Sequence, residues 1–201
     1  MNKSINLIGW QSIPGVVITA FVLFLIVATL LAATFPIDLE AAEKTEESQP
    51  THTWVGFGCG PSSLGSPGGH LNISRTRGHI IFGIRSTASS GGKYEVVDRV
   101  NDYDTMGDLA LLVGLTRRCE RLIMSASTGV AGVGGTFHEK DPTNSDILIK
   151  RDYQMVLGLP FEAQLIWRLG DNAGLGLYGY ANVNSNRNHG GVCISLIFGK
   201  I

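Results

Sequence analysis

The chain has 201 residues, a formal net charge of -1 and 26 glycines, and 44% of its residues are hydrophobic. This length fits one domain together with a targeting segment. The near-neutral charge, without a basic stripe interleaved with aromatic residues, argues against a nucleic-acid-binding protein.

The amino terminus carries an uncharged apolar run at residues 16–35. At about 1.5 Å per residue it is long enough to cross a bilayer as a helix of about 30 Å. The run follows Lys3 and precedes small residues, as in a secretory signal peptide with a long apolar core. We therefore assign residues 1–42 as a signal peptide or an N-terminal membrane anchor, and the polar residues 43–52 as a disordered linker.

The rest of the chain, residues 53–201, alternates apolar and other residues with the period of two that marks strands. No helical repeat occurs after residue 43. The sequence therefore predicts an all-β fold, an eight-stranded antiparallel up-and-down transmembrane β-barrel preceded by a hydrophobic helix. The eight predicted strands are 54–60, 71–74, 80–85, 109–116, 122–130, 153–168, 175–183 and 191–201.

The predicted connections alternate in length. Residues 61–70, 87–105 and 134–152 are long and polar, whereas "TRGH", "RRCER" and "GDN" are short. An up-and-down barrel places alternate connections at opposite ends, so the long ones gather at one mouth. Long loops at one end and short turns at the other are typical of outer-membrane barrels.

The alternation alone does not decide whether the apolar face meets lipid or the barrel interior, since a soluble lipocalin-like barrel points it inward. Three features favour lipid. The opposite face is rich in Gly, Ser and Asn, and the charged residues concentrate in the connections. Trp167 and Phe198 fall at strand ends on the short-turn side and Tyr153 at the other end of its strand, as interfacial aromatics do. This orientation places several aliphatic residues in the lumen: Ile81, Leu112, Ile123 and Ile197.

Residues 54–201 resemble the small eight-stranded outer-membrane barrels of the OmpA/OmpX-like class, and more narrowly uncharacterised proteins described as outer-membrane barrel domains. The resemblance is carried by "WVGFGCGPSSLG", "GLPFEAQL" and "GLGLYGYANVNSNRNHGGVCISLIFGK". The last strand, with its late Phe198 followed by "GKI", is similar to the signal that the barrel assembly machinery recognises. The resemblance implies a fold and a location in the outer membrane of a Gram-negative bacterium, and no activity.

Charged and polar residues on the inward face are the candidate site. An unpaired Glu162 would be costly in a small lumen, and Arg85, Arg168 and Arg75 are its candidate counter-charges. Because eight-stranded barrels have interiors that side chains can fill, we predict a structural ion pair and no wide pore. The predicted lumen residues are Glu162, Arg85, Arg168, Gln164, Tyr178 and Tyr180.

No catalytic, cofactor or metal site is predicted. His70 and Ser74 share a strand face but lie about 13 Å apart at about 3.3 Å per residue, too far for a nucleophile and its base. His189 has no evident partner. The acidic "DRVNDYD" does not match a calcium loop, and the glycine-rich stretches lack a phosphate-binding motif. Cys59 and Cys193 fall on opposite strand faces, so no disulfide is expected.

The predicted function is that of an integral outer-membrane protein, not an enzyme, with a structural role or a surface role through loops 87–105 and 134–152. Its expected partners are membrane lipid and the barrel assembly machinery, without nucleic acid, and we expect a monomer. Two alternatives stay open at this point. One is an outer-membrane lipid-modifying enzyme, and the other is a soluble lipocalin-like binder tethered by the N-terminal helix.

Overall fold

The computed structural model describes residues 51–94, 102–140 and 148–201, which form a closed barrel of eight strands. Each strand is antiparallel to the next, and β8 closes the barrel against β1. The prediction of an all-β, eight-stranded antiparallel up-and-down barrel is confirmed. The strands are β1 (Thr51–Pro61), β2 (Pro67–Arg77), β3 (Ile80–Tyr94), β4 (Asp102–Cys119), β5 (Leu122–Lys140), β6 (Leu148–Arg168), β7 (Ala173–Asn184) and β8 (His189–Lys200).

The predicted signal or anchor, residues 1–42, lies outside the described residues. β1 already begins at Thr51, within the segment predicted as a linker, and the remainder of that segment is also outside them. In the part of the chain that the structure covers, no helix is long and apolar enough to cross a bilayer.

The two ends of the barrel differ in their connections. Residues 78–79, 120–121 and 169–172 form tight turns at one end, here called the turn end. The first of these turns depends on Gly78, whose φ of 60° lies in the left-handed region that glycine adopts without strain. The other end, the loop end, carries the connections 62–66 and 185–188, and β3 and β5 also end there.

The four middle strands are longer than predicted. They have 15, 18, 19 and 21 residues in β3 to β6, whereas β1, β2, β7 and β8 have 11 or 12. The prediction that residues 87–105 and 134–152 are loops is therefore wrong, because most of these residues pair as strand. We call these strand extensions the raised wall; the connections 95–101 and 141–147 between them lie outside the described residues.

The two faces of the barrel wall differ in composition. Apart from Leu169 in a turn, the exposed large apolar side chains sit on outward strand positions, with exposures between 38% and 83%. Arg85, Glu162 and Asp108 are instead buried on the inward face. A lipocalin-like binder requires the reverse arrangement. The outward residues are Val55, Phe57, Leu71, Ile73, Ile80, Phe82, Ile84, Leu109, Leu111, Val113, Leu115, Val130, Met155, Leu157, Leu159, Trp167, Leu175, Leu177, Val183, Ile194, Leu196 and Phe198.

Candidate functional site

A buried arginine between two carboxylates lies at the centre of the lumen. Arg85 on β3 donates from Nη2 to Oδ2 of Asp108 on β4 at 2.6 Å, and neither side chain is accessible to solvent. Its Nη1 lies 4.0 Å from Oε2 of Glu162 on β6. Each residue reaches the lumen because the strand period of two puts it on the inward face.

Glu162 has hydrogen-bond donors as well as a counter-charge. The Tyr178 hydroxyl donates to one carboxylate oxygen and the Gln164 amide donates to the other. The Tyr180 ring lies 5.6 Å from the Arg85 guanidinium carbon. These five predicted lumen residues are buried and in contact with one another. A carboxylate that gains both donors and a cation is compatible with a site without bulk water.

Asp108 and His189 are members of this network that the sequence analysis missed. Asp108 accepts hydrogen bonds from Thr87 Oγ1 at 2.8 Å and Asn182 Nδ2 at 3.0 Å, and His189 Nε2 lies 3.3 Å from it. His189 is the first residue of β8 and is buried beside Asp108, so the prediction that it has no evident partner is wrong. The signal for Asp108 was its phase, two residues before the inward-facing Ala110.

The other two candidate counter-charges lie elsewhere. Arg168 sits at the turn end, where it donates to the Glu120 carbonyl at 3.1 Å and pairs with Asp171 at 3.3 Å. Arg75 is exposed on the outward face of β2, where it pairs with Phe82 of β3. Arg85 is therefore the cation beside Glu162.

A serine and a histidine do meet in the lumen, but from different strands than those considered in the sequence. Ser195 Oγ lies 3.2 Å from His70 Nε2, and the His70 ring stacks on Tyr178 with centroids 3.8 Å apart. The other ring nitrogen, Nδ1, is buried without a hydrogen-bond partner among the described residues. A nucleophile and base also need a third group to orient the base, and no described side chain takes that place at His70 Nδ1.

Apolar side chains close the lumen at the turn end. They form one buried cluster to which five strands each contribute a residue, and we call it the turn-end seal. It contains the isoleucines that the sequence placed in the lumen. The members are Trp54, Ile81, Ile123, Ile166, Ile197 and Ile201.

A second apolar cluster lines the loop-end side of the lumen. Leu64 of the connection 62–66 folds inward onto it, which requires Gly91, because a Cβ there would lie 1.8 Å from the Leu64 carbonyl oxygen. Above it, Asp104 pairs with His138 at 3.2 Å and Arg187 at 3.3 Å. The cluster consists of Leu64, Met106, Ala110, Leu112, Ala131, Val133 and Phe137.

The predicted interfacial aromatics Trp167 and Phe198 are exposed on the outward face near the turn end. Phe198 stacks on Phe57 with ring centroids 6.0 Å apart. The side chain of Tyr153, the third of them, is not among those described, although its backbone pairs with Gly135.

Cys59 is exposed and Cys193 is buried, as expected for residues on opposite faces. Over the described ranges, no group of three or more His, Cys, Asp or Glu side chains is arranged to hold a metal ion.

Neither a protein-family model nor a curated protein matches the chain. Among solved structures, Neisserial surface protein A is similar at 12% identity and a TM-score of 0.48, covering 74% of this chain and 94% of that one. The N-terminal β-barrel domain of Pseudomonas aeruginosa OprF shares 13% identity, with a TM-score of 0.49 and coverages of 75% and 98%. Ail, the attachment invasion locus protein of Yersinia pestis, was solved with the heparin analogue sucrose octasulfate. It shares 11% identity at a TM-score of 0.48, covering 75% of this chain and 97% of that one. With TM-scores below 0.5, these likenesses assign neither a location nor a role to this chain.

Proposed function

We propose that the protein is an integral outer-membrane β-barrel of a Gram-negative bacterium, with a side-chain-filled lumen and a surface role carried by the raised wall. The observation that carries this proposal is the apolar outward face. Every one of the eight strands contributes at least one exposed large apolar side chain to it. Soluble monomers rarely expose a continuous apolar surface of this extent.

The height of this surface fits a bilayer. From Met155 to Trp167, the outward positions of β6 carry no charged residue. At about 3.3 Å per residue and a tilt of about 45°, this stretch spans about 28 Å, close to the thickness of the hydrocarbon core. Closure of the sheet also satisfies the backbone groups that lipid cannot hydrogen-bond.

The raised wall supports the surface role. β6 pairs with β7 only from Gly158 onward, so residues 148–157 have no strand partner on that side among the described residues. An unpaired edge presents backbone N–H and C=O groups to which an extended segment of another protein can bind. The charged residues Lys150, Arg151 and Asp152 on this edge oppose unspecific pairing.

Entry into the membrane through the barrel assembly machinery is part of this proposal. It is supported by the alternation of Ile194, Leu196 and Phe198 on the outward face of the last strand. The monomeric state is also proposed, since the eight strands close on themselves within one chain.

The deciding experiment is the electrophoretic mobility of the full chain after refolding with and without detergent or lipid vesicles. A folded barrel resists the denaturant of the gel until it is boiled, so unboiled samples should show a separate band only when detergent or lipid was present. Circular dichroism of the same samples should report β-structure. A chain that instead folds as a soluble monomer in buffer alone contradicts the proposal.

A further inference from the structure

We propose that two adjoining grooves at the turn end bind one phospholipid whose zwitterionic headgroup carries a primary ammonium group, of the phosphatidylethanolamine type. This inference rests on the membrane location proposed above. One groove is apolar and lies on the outward wall, and the other is polar and lies between two turns. Trp167 lines both of them.

The apolar groove has a volume of about 370 Å³ and crosses four neighbouring strands, β5 to β8. Leu165 on β6, Leu177 on β7 and Ile194 on β8 lie side by side in direct register along it. A channel between aliphatic side chains contacts an acyl chain on several sides, which a flat wall does not. The lining residues are Leu122, Leu165, Trp167, Leu175, Gly176, Leu177 and Ile194.

The polar groove, of about 380 Å³, lies between the turns that join β4 to β5 and β6 to β7. The Arg168 backbone N–H donates to the Arg121 carbonyl at 2.7 Å, and the Arg168 side chain donates to the Glu120 carbonyl at 3.1 Å. These bonds hold the two turns together. The groove is lined by Glu120, Arg121, Trp167, Arg168, Leu169, Gly170 and Asp171.

The charged residues of the polar groove determine which lipid headgroup it binds best. Two arginines can bind a phosphate through paired N–H donors, and two carboxylates, Glu120 and Asp171, can accept hydrogen bonds from an ammonium. A choline headgroup has no N–H to donate, and a glycerol headgroup brings no ammonium to either carboxylate. The Arg168–Asp171 pair is open to solvent, with Asp171 95% exposed, and such exposed pairs are weak enough to exchange for a ligand.

Fluorescence quenching of Trp167 by lipids with brominated acyl chains tests this site. The full chain is inserted into phosphatidylcholine vesicles that contain a fixed minor fraction of brominated lipid with an ethanolamine, choline or glycerol headgroup. The signal of a Trp167→Phe variant is subtracted, because Trp10 and Trp54 also fluoresce. We expect quenching by the ethanolamine lipid to exceed that by either of the others about threefold, as two exposed ionic contacts would give.

A Glu120→Gln/Arg121→Gln variant should lose this preference, since both side chains are exposed and the bonds that hold the turns use only the backbone carbonyls, which the substitutions keep. Arg75→Gln is the matched control, because Arg75 is an exposed arginine near the same end of the barrel but outside the groove. It should keep the threefold preference.

Equal quenching by the three lipids, or a preference for the glycerol headgroup, would overturn the headgroup site. If the boiled and unboiled samples from these vesicles run alike, the membrane location itself fails and the site fails with it. A heat-sensitive band together with equal quenching overturns the lipid site alone.

Discussion

Arg85 holds two carboxylates in the lumen without access to water. Its hydrogen bond with Asp108 is short, at 2.6 Å, and Glu162 lies 4.0 Å from the same guanidinium. Buried ion pairs of this kind contribute little net stability relative to an apolar replacement of the whole group, because removing each charge from water is expensive. Loss of a single partner is much more costly, since the remaining charges stay buried.

Arg85→Met is therefore expected to lower the free energy of unfolding by about 3–5 kcal/mol. The measurement is urea unfolding of the barrel in vesicles, followed by the loss of the heat-sensitive gel band. Arg75→Met, at an exposed outward position, should stay within about 0.5 kcal/mol of the unchanged chain. A variant at Arg85 that unfolds at the same urea concentration as the unchanged chain would contradict the role assigned to the ion cluster.

The sequence predicts which members of this cluster face inward, but only where the alternation of a strand is clear. Glu162, Gln164 and Tyr178 fall on inward positions of strongly alternating strands, so their burial follows from period two. Asp108 lies where the apolar alternation of β4 ends, and it was not recognised as part of a strand. The choice of Arg85 over Arg168 depends on cross-strand register, which the sequence does not state.

At the scale of the elements, the structure preserves the centres of the predicted strands and changes their ends. At the centres of the strands, outward positions carry exposed apolar side chains and inward positions line the lumen, so apolar and other residues alternate clearly. In the raised wall, charged and small residues occur on both faces. The backbone pairing continues there, although apolar and polar residues no longer alternate. Thr105 of β4 still pairs with Ser90 of β3 and Thr136 of β5, although it falls in the predicted loop 87–105.

The proposed lipid contact of β4 can be tested by placing an arginine at either of two outward positions that lie at different depths in the bilayer. Leu111 and Leu115 are outward residues of this strand, with exposures of 58% and 46%. Leu111→Arg should destabilise the barrel in vesicles by about 2–4 kcal/mol, and Leu115→Arg by about 0–1 kcal/mol. The difference is expected because Arg117 already occupies the next outward position toward the turn end. Equal losses for the two variants in urea unfolding would argue against a bilayer around this strand.

At the scale of the whole molecule, buried side chains of the described residues occupy the interior toward both ends of the barrel. The turn-end seal blocks one mouth, and Leu64 reaches into the other side of the interior. The sequence predicted a filled interior from the strand number alone, and it placed Ile81, Ile123 and Ile197 there. It did not predict that these residues would gather into one layer, because that depends on the stagger of the strands around the barrel.

The seal predicts the electrical behaviour of the protein. The unchanged chain should give no stable single-channel steps in a planar bilayer. Trp54→Ala combined with Ile197→Ala removes two large side chains from the seal. This double variant should show single-channel steps of small conductance whose size depends on the ions in solution. Ile194→Ala, an outward change on the same strand as Ile197, should leave the bilayer silent. Large steady conductance from the unchanged chain would contradict the closed lumen.

The distribution of the seal over the chain has a consequence for the order of assembly. Trp54 belongs to β1 and Ile197 to β8, and the residues between them come from three other strands. A growing sheet that lacks its last strand therefore holds these side chains apart, and its inner surface remains exposed to water. The interior dries in the same step in which the first and last strands meet, so exclusion of water and completion of the backbone ladder are expected to be a single cooperative event.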